Sequence, residues 1–300
     1  MQLTFLGTGS MVPTKDRNVV GHFLEYNGDG ILIDCGEGTQ RQMNIAGINR
    51  LRVNKILITH WHGDHVAGLV GLLQTISNSE NPGKIKLFGP VGSQASVDMF
   101  MQATLHANSM DVEVTELNPE GLEKFHETED YYIECAPLDH SAPVLGYSFV
   151  EKDKRKIIMS KVEKLGMKQG PLLGKLQKGE EVTFKGKKVK PDDVSKIQKG
   201  KKVTFVLDTT LCEGCIRLAE NADYLICEAT YASDLEGKAL EYKHLTAGQA
   251  ALIASKADAK KLILTHFSQR YANIDKLLKD AQMIFPETSA ANDFMRVKFK

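Results

Sequence analysis

The strongest constraint in this 300-residue sequence is one hexapeptide, His60-Trp61-His62-Gly63-Asp64-His65. It directly follows residues 55–59, an apolar run of the kind that forms a buried β-strand. In an extended segment, side chains two residues apart point the same way, so His60 and His62 can face one metal ion while Trp61 points away into packing. We therefore expect a metal-binding loop at the end of a strand.

The second half of the hexapeptide is expected to change the direction of the chain. Gly63 would allow a sharp turn, after which Asp64 and His65 would lie at the start of a helix and face a neighbouring position. Imidazoles and carboxylates together suit zinc better than magnesium. A lone His-x-His is usually accidental, but three His and one Asp within six residues at a strand end predict a zinc site.

Three later residues are candidate ligands because each follows an apolar run that predicts a strand. His140 follows a run that ends near residue 136, Asp208 follows residues 203–207, and His266 follows residues 261–265. A single polar residue at a strand end is a weak signal, whereas the ordered set is a strong one.

Composition excludes several classes of protein. Hydrophobic residues make up 42% and charged residues 25%, which is typical of a globular chain. Lys and Arg equal Asp and Glu at 38 each, so the chain lacks the overall basic bias of a purely electrostatic nucleic-acid binder. No apolar run approaches the roughly 18 residues of a membrane span, and the first residues lack a secretory pattern. The five cysteines are few and odd in number, which favours the reducing cytoplasm.

Positive charge is concentrated in one segment of this neutral chain. Residues 151–202 hold 17 of the 38 Lys and Arg but only 7 of the 38 Asp and Glu, so the segment carries +10 and the remainder −10. The segment could be a solvated, charged insertion, or an arm that grips a polyanion. Within it, residues 181–184 and 187–189 alternate around Lys185-Gly186, a pattern typical of a hairpin.

The order of the predicted elements favours a layered α/β architecture, because strands dominate the first part and strand–helix alternation the last. Residues 66–77 are predicted to form one helix that packs on the core through Leu69, Leu72, Leu73 and Ile76.

Cys212-Glu213-Gly214-Cys215 is a Cys-x-x-Cys sequence, which can be a redox pair or half of a zinc site. No second pair accompanies it in the sequence. The alternative is a pair of incidental, partly buried thiols.

The hexapeptide matches the His-x-His-x-Asp-His motif of the metallo-β-lactamase superfamily. Within that superfamily the sequence resembles the ribonuclease Z family of tRNA 3′-processing endonucleases over essentially its whole length. Departures are small: Cys227 stands where a His is usual, and Leu245 where a Ser is usual. The segments that carry the resemblance are Pro13-Thr14-Lys15-Asp16-Arg17-Asn18, Asp34-Cys35-Gly36-Glu37-Gly38-Thr39-Gln40, Glu228-Ala229-Thr230, His244-Leu245-Thr246 and, inside the basic segment, Gly170-Pro171-Leu172 and Gly174-Lys175-Leu176.

The resemblance implies a fold and a cofactor. The fold would be a single α/β domain over residues 1–300, the four-layer αββα sandwich of the metallo-β-lactamases, with an inserted flexible tRNA-binding arm at residues 152–199. Two zinc ions per chain are implied, with Asp208 bridging them and Asp34 orienting the ligand loop. The implied ligands are His60, His62 and His140 for one ion and Asp64, His65 and His266 for the other.

The resemblance also implies an activity: hydrolysis of precursor tRNA that leaves a 3′-hydroxyl on the tRNA and a 5′-phosphate on the trailer. Asp64 would orient or deprotonate the attacking water, and His244, held by Glu228, would protonate the leaving oxygen. A homodimer is implied, in which the arm of one subunit clamps tRNA for the other. The implied substrate-binding residues are Lys15, Arg17, Asn18, Gly170, Pro171 and Lys175.

Two other functions compete with this one. The first is a metallo-β-lactamase-fold hydrolase acting on a small phosphodiester or ester, but such a substrate needs neither the basic segment nor the Lys15–Arg17 loop. The second is a non-catalytic RNA-binding relative, for which a complete ligand set has no chemical purpose.

Overall fold

Two mixed β-sheets of seven strands each form the centre of the fold. The structure is a computed structural model that describes residues 1–80, 82–104 and 111–299. The strands in chain order are β1 (Gln2–Gly7), β2 (Gly9–Ser10), β3 (Gly21–Tyr26), β4 (Asp29–Ile33), β5 (Val53–Leu57), β6 (Ile85–Pro90), β7 (Val112–Leu117), β8 (Glu123–Glu127), β9 (Tyr131–Pro137), β10 (Leu145–Glu151), β11 (Lys154–Ile157), β12 (Val182–Phe184), β13 (Lys187–Val189), β14 (Ser195–Gln198), β15 (Lys202–Val206), β16 (Tyr224–Glu228), β17 (Leu262–Thr265), β18 (Phe267–Ser268), β19 (Thr288–Ala290) and β20 (Arg296–Lys298).

The first sheet has the order β20-β1-β3-β4-β5-β6-β7, and the second has the order β19-β17-β16-β15-β10-β9-β8. Short 3₁₀ helices span Arg50–Arg52 and Ser233–Leu235. The α-helices are α1 (Thr39–Ile45), α2 (Gly63–Val66), α3 (Leu69–Ser77), α4 (Ser93–Gln102), α5 (Met159–Lys164), α6 (Pro171–Gln177), α7 (Pro191–Val194), α8 (Glu213–Ala219), α9 (Glu236–Glu241), α10 (Ala247–Lys256) and α11 (Asp275–Gln282).

Helices cover the outer face of each sheet, and aromatic rings fill the space between the sheets. One apolar cluster joins α1, α3 and α4 to the first sheet, and a second joins α8, α10 and α11 to the second sheet. Between the sheets, the His22 ring lies 5.0 Å from Phe5 and stacks on Phe205 at 6.1 Å. The layers are therefore helix, sheet, sheet, helix, as predicted for the αββα sandwich.

The segment after the hexapeptide differs from its prediction. Residues 66–77 do not form one helix: α2 ends at Val66 and α3 begins at Leu69. The break is at Gly68, which packs against the loop that follows β4. A Cβ on Gly68 would meet the Gly36 carbonyl oxygen in that loop at 2.2 Å. Gly63 makes no sharp turn, because it is the first residue of α2 and follows an extended His62. The four apolar residues of α3 are buried, as predicted.

The chain divides into two compact units. The first comprises Met1–Glu127, Ile133–Phe149 and Lys202–Lys300, and the second comprises Thr128–Tyr132 and Val150–Lys201. The second unit contains the predicted arm, residues 152–199. It has an apolar cluster of its own, formed by Val162, Met167, Leu173, Leu176, Val182, Val189 and Val194.

The predicted hairpin lies in this second unit. Strands β12 and β13 pair antiparallel, and Lys185 and Gly186 between them both have positive φ, as a two-residue hairpin turn requires. Among the described residues, no helix combines the length and the apolar character that crossing a bilayer requires.

Candidate metal centre and active site

The candidate ligands converge beyond the carboxyl ends of the strands that precede them. β5 leads into His60, β15 into Asp208 and β17 into His266. Strands β15, β16 and β17 run parallel, so their carboxyl ends meet at one edge of the second sheet. Open α/β sheets place their ligands at this edge.

The ligand atoms form two compact sets. Those of His60, His62, His140 and Asp208 all lie within 4.8 Å of one another, and so do those of Asp64, His65 and His266. The structure thus brings together all seven predicted ligands, which are separated by as many as 206 positions in the sequence.

Asp208 faces both sets, with a different oxygen toward each. Its Oδ2 lies 3.7 Å from His60 Nε2 and 3.8 Å from His140 Nε2. Its Oδ1 lies 3.3 Å from His65 Nε2 and 3.2 Å from His266 Nε2. A carboxylate placed in this way can bridge two metal ions.

Several of these atoms are buried with no hydrogen-bond partner in the described part of the chain: Nε2 of His60, His65 and His266, and Oδ1 of Asp208. Leaving a polar group buried and unpaired costs about 1–3 kcal/mol, and bound metal ions would remove that cost. Burial also lowers the pKa of His60 well below its usual value, which keeps the imidazole neutral as a metal ligand must be. The residues fit a metal, and the chain has a metal-binding site.

The backbone is strained at three residues of the site. Asp34, Asp208 and His266 have φ of 56°, 44° and 57°, in the left-handed region that residues with a Cβ rarely adopt. Such conformations cost on the order of 1–3 kcal/mol each and persist where the surrounding structure enforces them. The strain turns these side chains into the site directly after their strands.

Asp34 orients His65, as predicted for it. Its Oδ2 lies 2.7 Å from His65 Nδ1, which directs the opposite nitrogen of the ring toward Asp208. The Thr59 backbone N–H donates to Asp34 Oδ1 at 2.8 Å, and the Thr59 hydroxyl donates to Oδ2 at 2.8 Å. Thr59 was not predicted as a site residue, and its position before His60 was the only signal in the sequence.

His266 and His140 are held in the same way by other groups. The Thr230 hydroxyl lies 3.1 Å from His266 Nδ1 and donates to Glu228 Oε2 at 2.6 Å. His140 Nδ1 donates to the Lys243 carbonyl oxygen at 2.9 Å. Thr230 was not predicted as a site residue, although it belongs to the Glu228-Ala229-Thr230 segment that carries the family resemblance.

His244 and Glu228 form a pair beside the metal sets. His244 Nδ1 lies 3.1 Å and 3.2 Å from the two oxygens of Glu228, whose side chain is fully buried. Burial lowers the pKa of His244, but the carboxylates of Glu228 and Asp208 outweigh it and raise that pKa to about 9. Atoms of His244, Asp208 and His266 also lie within 4.8 Å of one another, so metal binding by His244 is the competing role.

An open cleft of about 1010 Å³ leads to the site. Its lining includes four residues that were not predicted from the sequence, Lys238, Tyr231, Tyr242 and Arg270. The Arg270 guanidinium lies 4.9 Å from the centre of the Tyr231 ring, a cation–π contact. Cations and aromatic rings in the lining of a cleft suit phosphates and bases.

The loop of residues 13–18 is braced rather than open. Arg17 Nη1 donates to the Tyr271 carbonyl oxygen at 2.7 Å, and its guanidinium lies over the Phe267 ring at 5.5 Å. The Asn18 backbone N–H donates to Asp293 Oδ2 at 2.8 Å. Lys15 is exposed at the tip of the loop. In the second unit, Gly170 immediately precedes α6, Pro171 is the first residue of that helix, and Lys175 is exposed on it.

Comparison with known proteins gives full-length relatives. A ribonuclease Z from Methanothermobacter thermautotrophicus is 40% identical over 301 residues, covering 100% of this chain and 97% of that protein. A ribonuclease Z from Thermobifida fusca is 39% identical, covering 99% and 94%. The chain belongs to the ribonuclease Z family.

Solved structures agree with membership of the ribonuclease Z family. The crystal structure of the short form of human tRNase Z superposes with a TM-score of 0.74 at 30% identity, covering 99% of both chains. A metallo-β-lactamase fold protein from Bacillus subtilis superposes at 0.69 with 18% identity, which supports the fold alone. A family model described as Anti-Pycsar protein Apyc1 matches residues 1–160, a range that ends before Asp208 and His266.

Proposed function

We propose that this chain is a zinc-dependent endoribonuclease that removes the 3′ trailer from precursor tRNA, leaving a 3′-hydroxyl on the tRNA and a 5′-phosphate on the trailer. The observation that carries the proposal is the pair of ligand sets with Asp208, a member of the first, facing the second. Identity of 40% and 39% to two ribonucleases Z, over 100% and 99% of this chain, supports precursor tRNA as the substrate.

Two zinc ions per chain are proposed for these sets. His60, His62 and His140 would hold one ion, Asp64, His65 and His266 the other, and Asp208 both. Seven ligands exceed what one tetrahedral zinc uses, and nitrogen with carboxylate oxygen is a donor set that zinc accepts. Bound zinc lowers the pKa of water toward about 7 and polarises phosphate oxygens.

Asp64 is the proposed base. Its Oδ2 accepts the Met11 backbone N–H at 2.7 Å and faces His266 Nε2 at 3.6 Å, so the carboxylate is held in the lining of the cleft. From there Asp64 would orient the attacking water and accept its proton.

His244 is the proposed acid. Glu228 occupies its Nδ1 from the buried side, which leaves Nε2 to donate a proton to the departing ribose 3′-oxygen. His244 lines the cleft together with Tyr231 and Tyr242, where an RNA 3′ end would enter.

Affinity for folded RNA is assigned to the basic segment and to the loop at residues 13–18. Gly170, Pro171 and Lys175 belong to the predicted arm, whose lysines would meet backbone phosphates and recognise A-form shape. Lys15 would contact the RNA near the cleavage site, and Arg17 and Asn18 would hold that loop in place. We further propose a homodimer and a cytoplasmic location, where precursor tRNA is found.

The test is turnover of a 3′-extended tRNA precursor beside bis(p-nitrophenyl) phosphate. Asp64→Ala should lose activity on both by orders of magnitude, and His244→Ala should lower tRNA turnover about 10²–10⁴-fold with bound metal unchanged. The matched control is Asp98→Ala, an exposed carboxylate on α4. Hydrolysis of bis(p-nitrophenyl) phosphate without cleavage of the tRNA would support the small-phosphodiester alternative. RNA binding without hydrolysis of either substrate would contradict an enzymatic function.

A further inference from the structure

Two thiols lie close together outside both metal sets. Cys212 Sγ and Cys215 Sγ are 3.3 Å apart. Cys212 is partly exposed and immediately precedes α8, whereas Cys215 is buried in the first turn of that helix. The proposed phosphodiester hydrolysis uses neither residue.

The turn that holds the two thiols is tightly packed. A Cβ on Gly214, between the cysteines, would meet the Pro137 carbonyl oxygen at 2.3 Å. The backbone at Gly214, between the two cysteines, therefore lies against the end of β9. A disulfide bond is about 2.05 Å long, so a small approach of the two sulfurs would form one.

The pair also has an attacking and a resolving member. The Cys215 thiol, together with the backbone N–H groups of Cys215 and Gly214, lowers the pKa of Cys212 below its usual value despite partial burial. A thiolate that is reachable from solvent is the nucleophile in thiol–disulfide exchange.

We propose that Cys212 and Cys215 form a dithiol–disulfide site that exchanges with low-molecular-weight disulfides such as oxidised glutathione. The Cys212 thiolate attacks one glutathione sulfur, the glutathione S–S bond breaks, and the first glutathione leaves as a thiolate. Cys215 then attacks the mixed disulfide at Cys212 and releases the second glutathione. Two electrons pass from the protein to glutathione, and the two protein thiol protons end on the two glutathione thiols.

Thr209 connects this site to the metal-ligand loops. Its hydroxyl lies 3.8 Å from each sulfur and accepts the Asp139 backbone N–H at 3.1 Å. Its own backbone N–H donates to Glu228 Oε1 at 2.7 Å. Since Thr209 follows Asp208 and Asp139 precedes His140, closing the disulfide against Thr209 displaces both loops and slows turnover. This consequence rests on the proposed phosphodiester hydrolysis, whereas the exchange chemistry does not.

Mass spectrometry of trapped thiols tests the exchange. The metal-loaded full chain is equilibrated in buffers of reduced and oxidised glutathione, then alkylated and digested. Wild type should give a Cys212–Cys215 disulfide, Cys215→Ser should stop at one glutathione on residue 212, and Cys212→Ser should give neither product. Cys35, Cys135 and Cys227, all buried, are internal controls and should stay reduced. A pair that remains reduced in oxidised glutathione alone would overturn the proposal.

Turnover and bound metal test the connection to the metal loops. Oxidised wild type should hydrolyse precursor tRNA and bis(p-nitrophenyl) phosphate about tenfold more slowly than reduced wild type, with recovery after dithiothreitol. The double variant Cys212→Ser/Cys215→Ser should not respond to glutathione. Hydrolysis of bis(p-nitrophenyl) phosphate reports on the metal centre without tRNA. A wrong assignment of tRNA as substrate can therefore be distinguished from a wrong assignment of the thiol pair. Equal turnover by the oxidised and the reduced protein would overturn the connection between the thiols and the metal-ligand loops. If wild type bound a third metal equivalent that the double variant lost, the two cysteines would be metal ligands and the dithiol–disulfide proposal would be wrong.

Discussion

At the scale of single residues, Glu228 and Asp208 together raise the pKa of His244, and Glu228 is the carboxylate that contacts its Nδ1. Both Glu228 oxygens lie within 3.2 Å of His244 Nδ1, and the carboxylate is fully buried. A buried carboxylate beside an imidazole favours the charged imidazolium. His244 therefore keeps its proton at a pH where an ordinary histidine has lost it, which is what an acid for the leaving oxygen requires.

Replacing this carboxylate should shift the pH profile of turnover. With its pKa raised to about 9, His244 is protonated at neutral pH, and activity should fall as the pH rises through that value. Glu228→Gln removes the negative charge and lowers the pKa of His244, so the alkaline limb of kcat should move to lower pH. The profile is measured on bis(p-nitrophenyl) phosphate as well as on tRNA, beside wild type with equal bound metal. An unmoved alkaline limb would contradict the role of His244 as acid.

At the scale of elements, the loop after β4 fixes the position of the hexapeptide. A Cβ on Gly36 would meet the Asp64 carbonyl oxygen at 2.2 Å and a side-chain carbon of Val19 at 2.7 Å. Gly63, inside the hexapeptide itself, has nothing within 4 Å of the same position. The two glycines therefore offer a matched comparison.

Gly36→Ala should destabilise the fold and weaken metal binding, because backbone atoms must move away from the new Cβ. Overpacking of this kind costs about 1–3 kcal/mol, and the shift would move Asp64 and His65. Gly63→Ala should leave both quantities close to wild type. Thermal unfolding and metal content of the purified variants give the comparison. Equal losses from both variants would mean that the close approach at Gly36 does not hold the loop.

The convergence of the candidate ligands was predictable because each follows a local signal in the sequence and the set matches a family motif. The strands before His60, Asp208 and His266 are short apolar runs, and β-strand ends are readable from a few residues. The break between α2 and α3 was not predictable, because it depends on the close approach of Gly68 to Gly36, which lies in a different loop. Hydrophobic spacing alone continues through the break, so the sequence predicted one helix.

The supporting contacts were out of reach for the same reason. Arg17 donates to Tyr271, 254 positions away, and Asn18 to Asp293, 275 positions away. The residues next to Arg17 in the sequence do not show whether its side chain stabilises the loop or is free to bind RNA. The contact of Thr230 with His266 and the positions of Tyr231 and Arg270 in the cleft lining likewise depend on segments that meet only in the folded chain.

At the scale of the whole molecule, deleting the basic segment tests whether RNA binding can be separated from hydrolysis. Replacing residues 152–199 with a short Gly/Ser loop removes 15 Lys and Arg and 6 Asp and Glu, a net loss of +9. All seven proposed ligands lie outside this span. The deletion should raise KM for tRNA steeply and flatten its salt dependence, whose slope is about −0.9 per phosphate contact for a duplex.

Hydrolysis of bis(p-nitrophenyl) phosphate and metal content by the deleted chain are the controls for this experiment. Both should stay near wild type. Unchanged KM for tRNA, with the same salt slope, would place RNA binding elsewhere on the molecule.

The proposed homodimer is tested by mixing two defective chains. The arm-deleted chain keeps an intact site, and the Asp64→Ala chain keeps an intact arm. If the arm of one subunit serves the site of the other, heterodimers should regain cleavage of precursor tRNA while neither parent does. Absence of recovery in heterodimers verified by mass would mean that each arm serves its own subunit.

The division of the ligands between the two sheets has a consequence for unfolding. Each metal set takes residues from the loop after β5 in the first sheet and one His, His140 or His266, that follows a strand of the second. Neither sheet alone can complete a site, so unfolding would release the two proposed ions. By mass action, each tenfold rise in free zinc above its dissociation constant should add about 1.4 kcal/mol of stability per site. Thermal unfolding in zinc buffers should show a Tm that climbs with the logarithm of free zinc, and a flat Tm would mean that the sheets stay joined without the ions. The availability of zinc would then govern how long the folded protein survives as well as how fast it works.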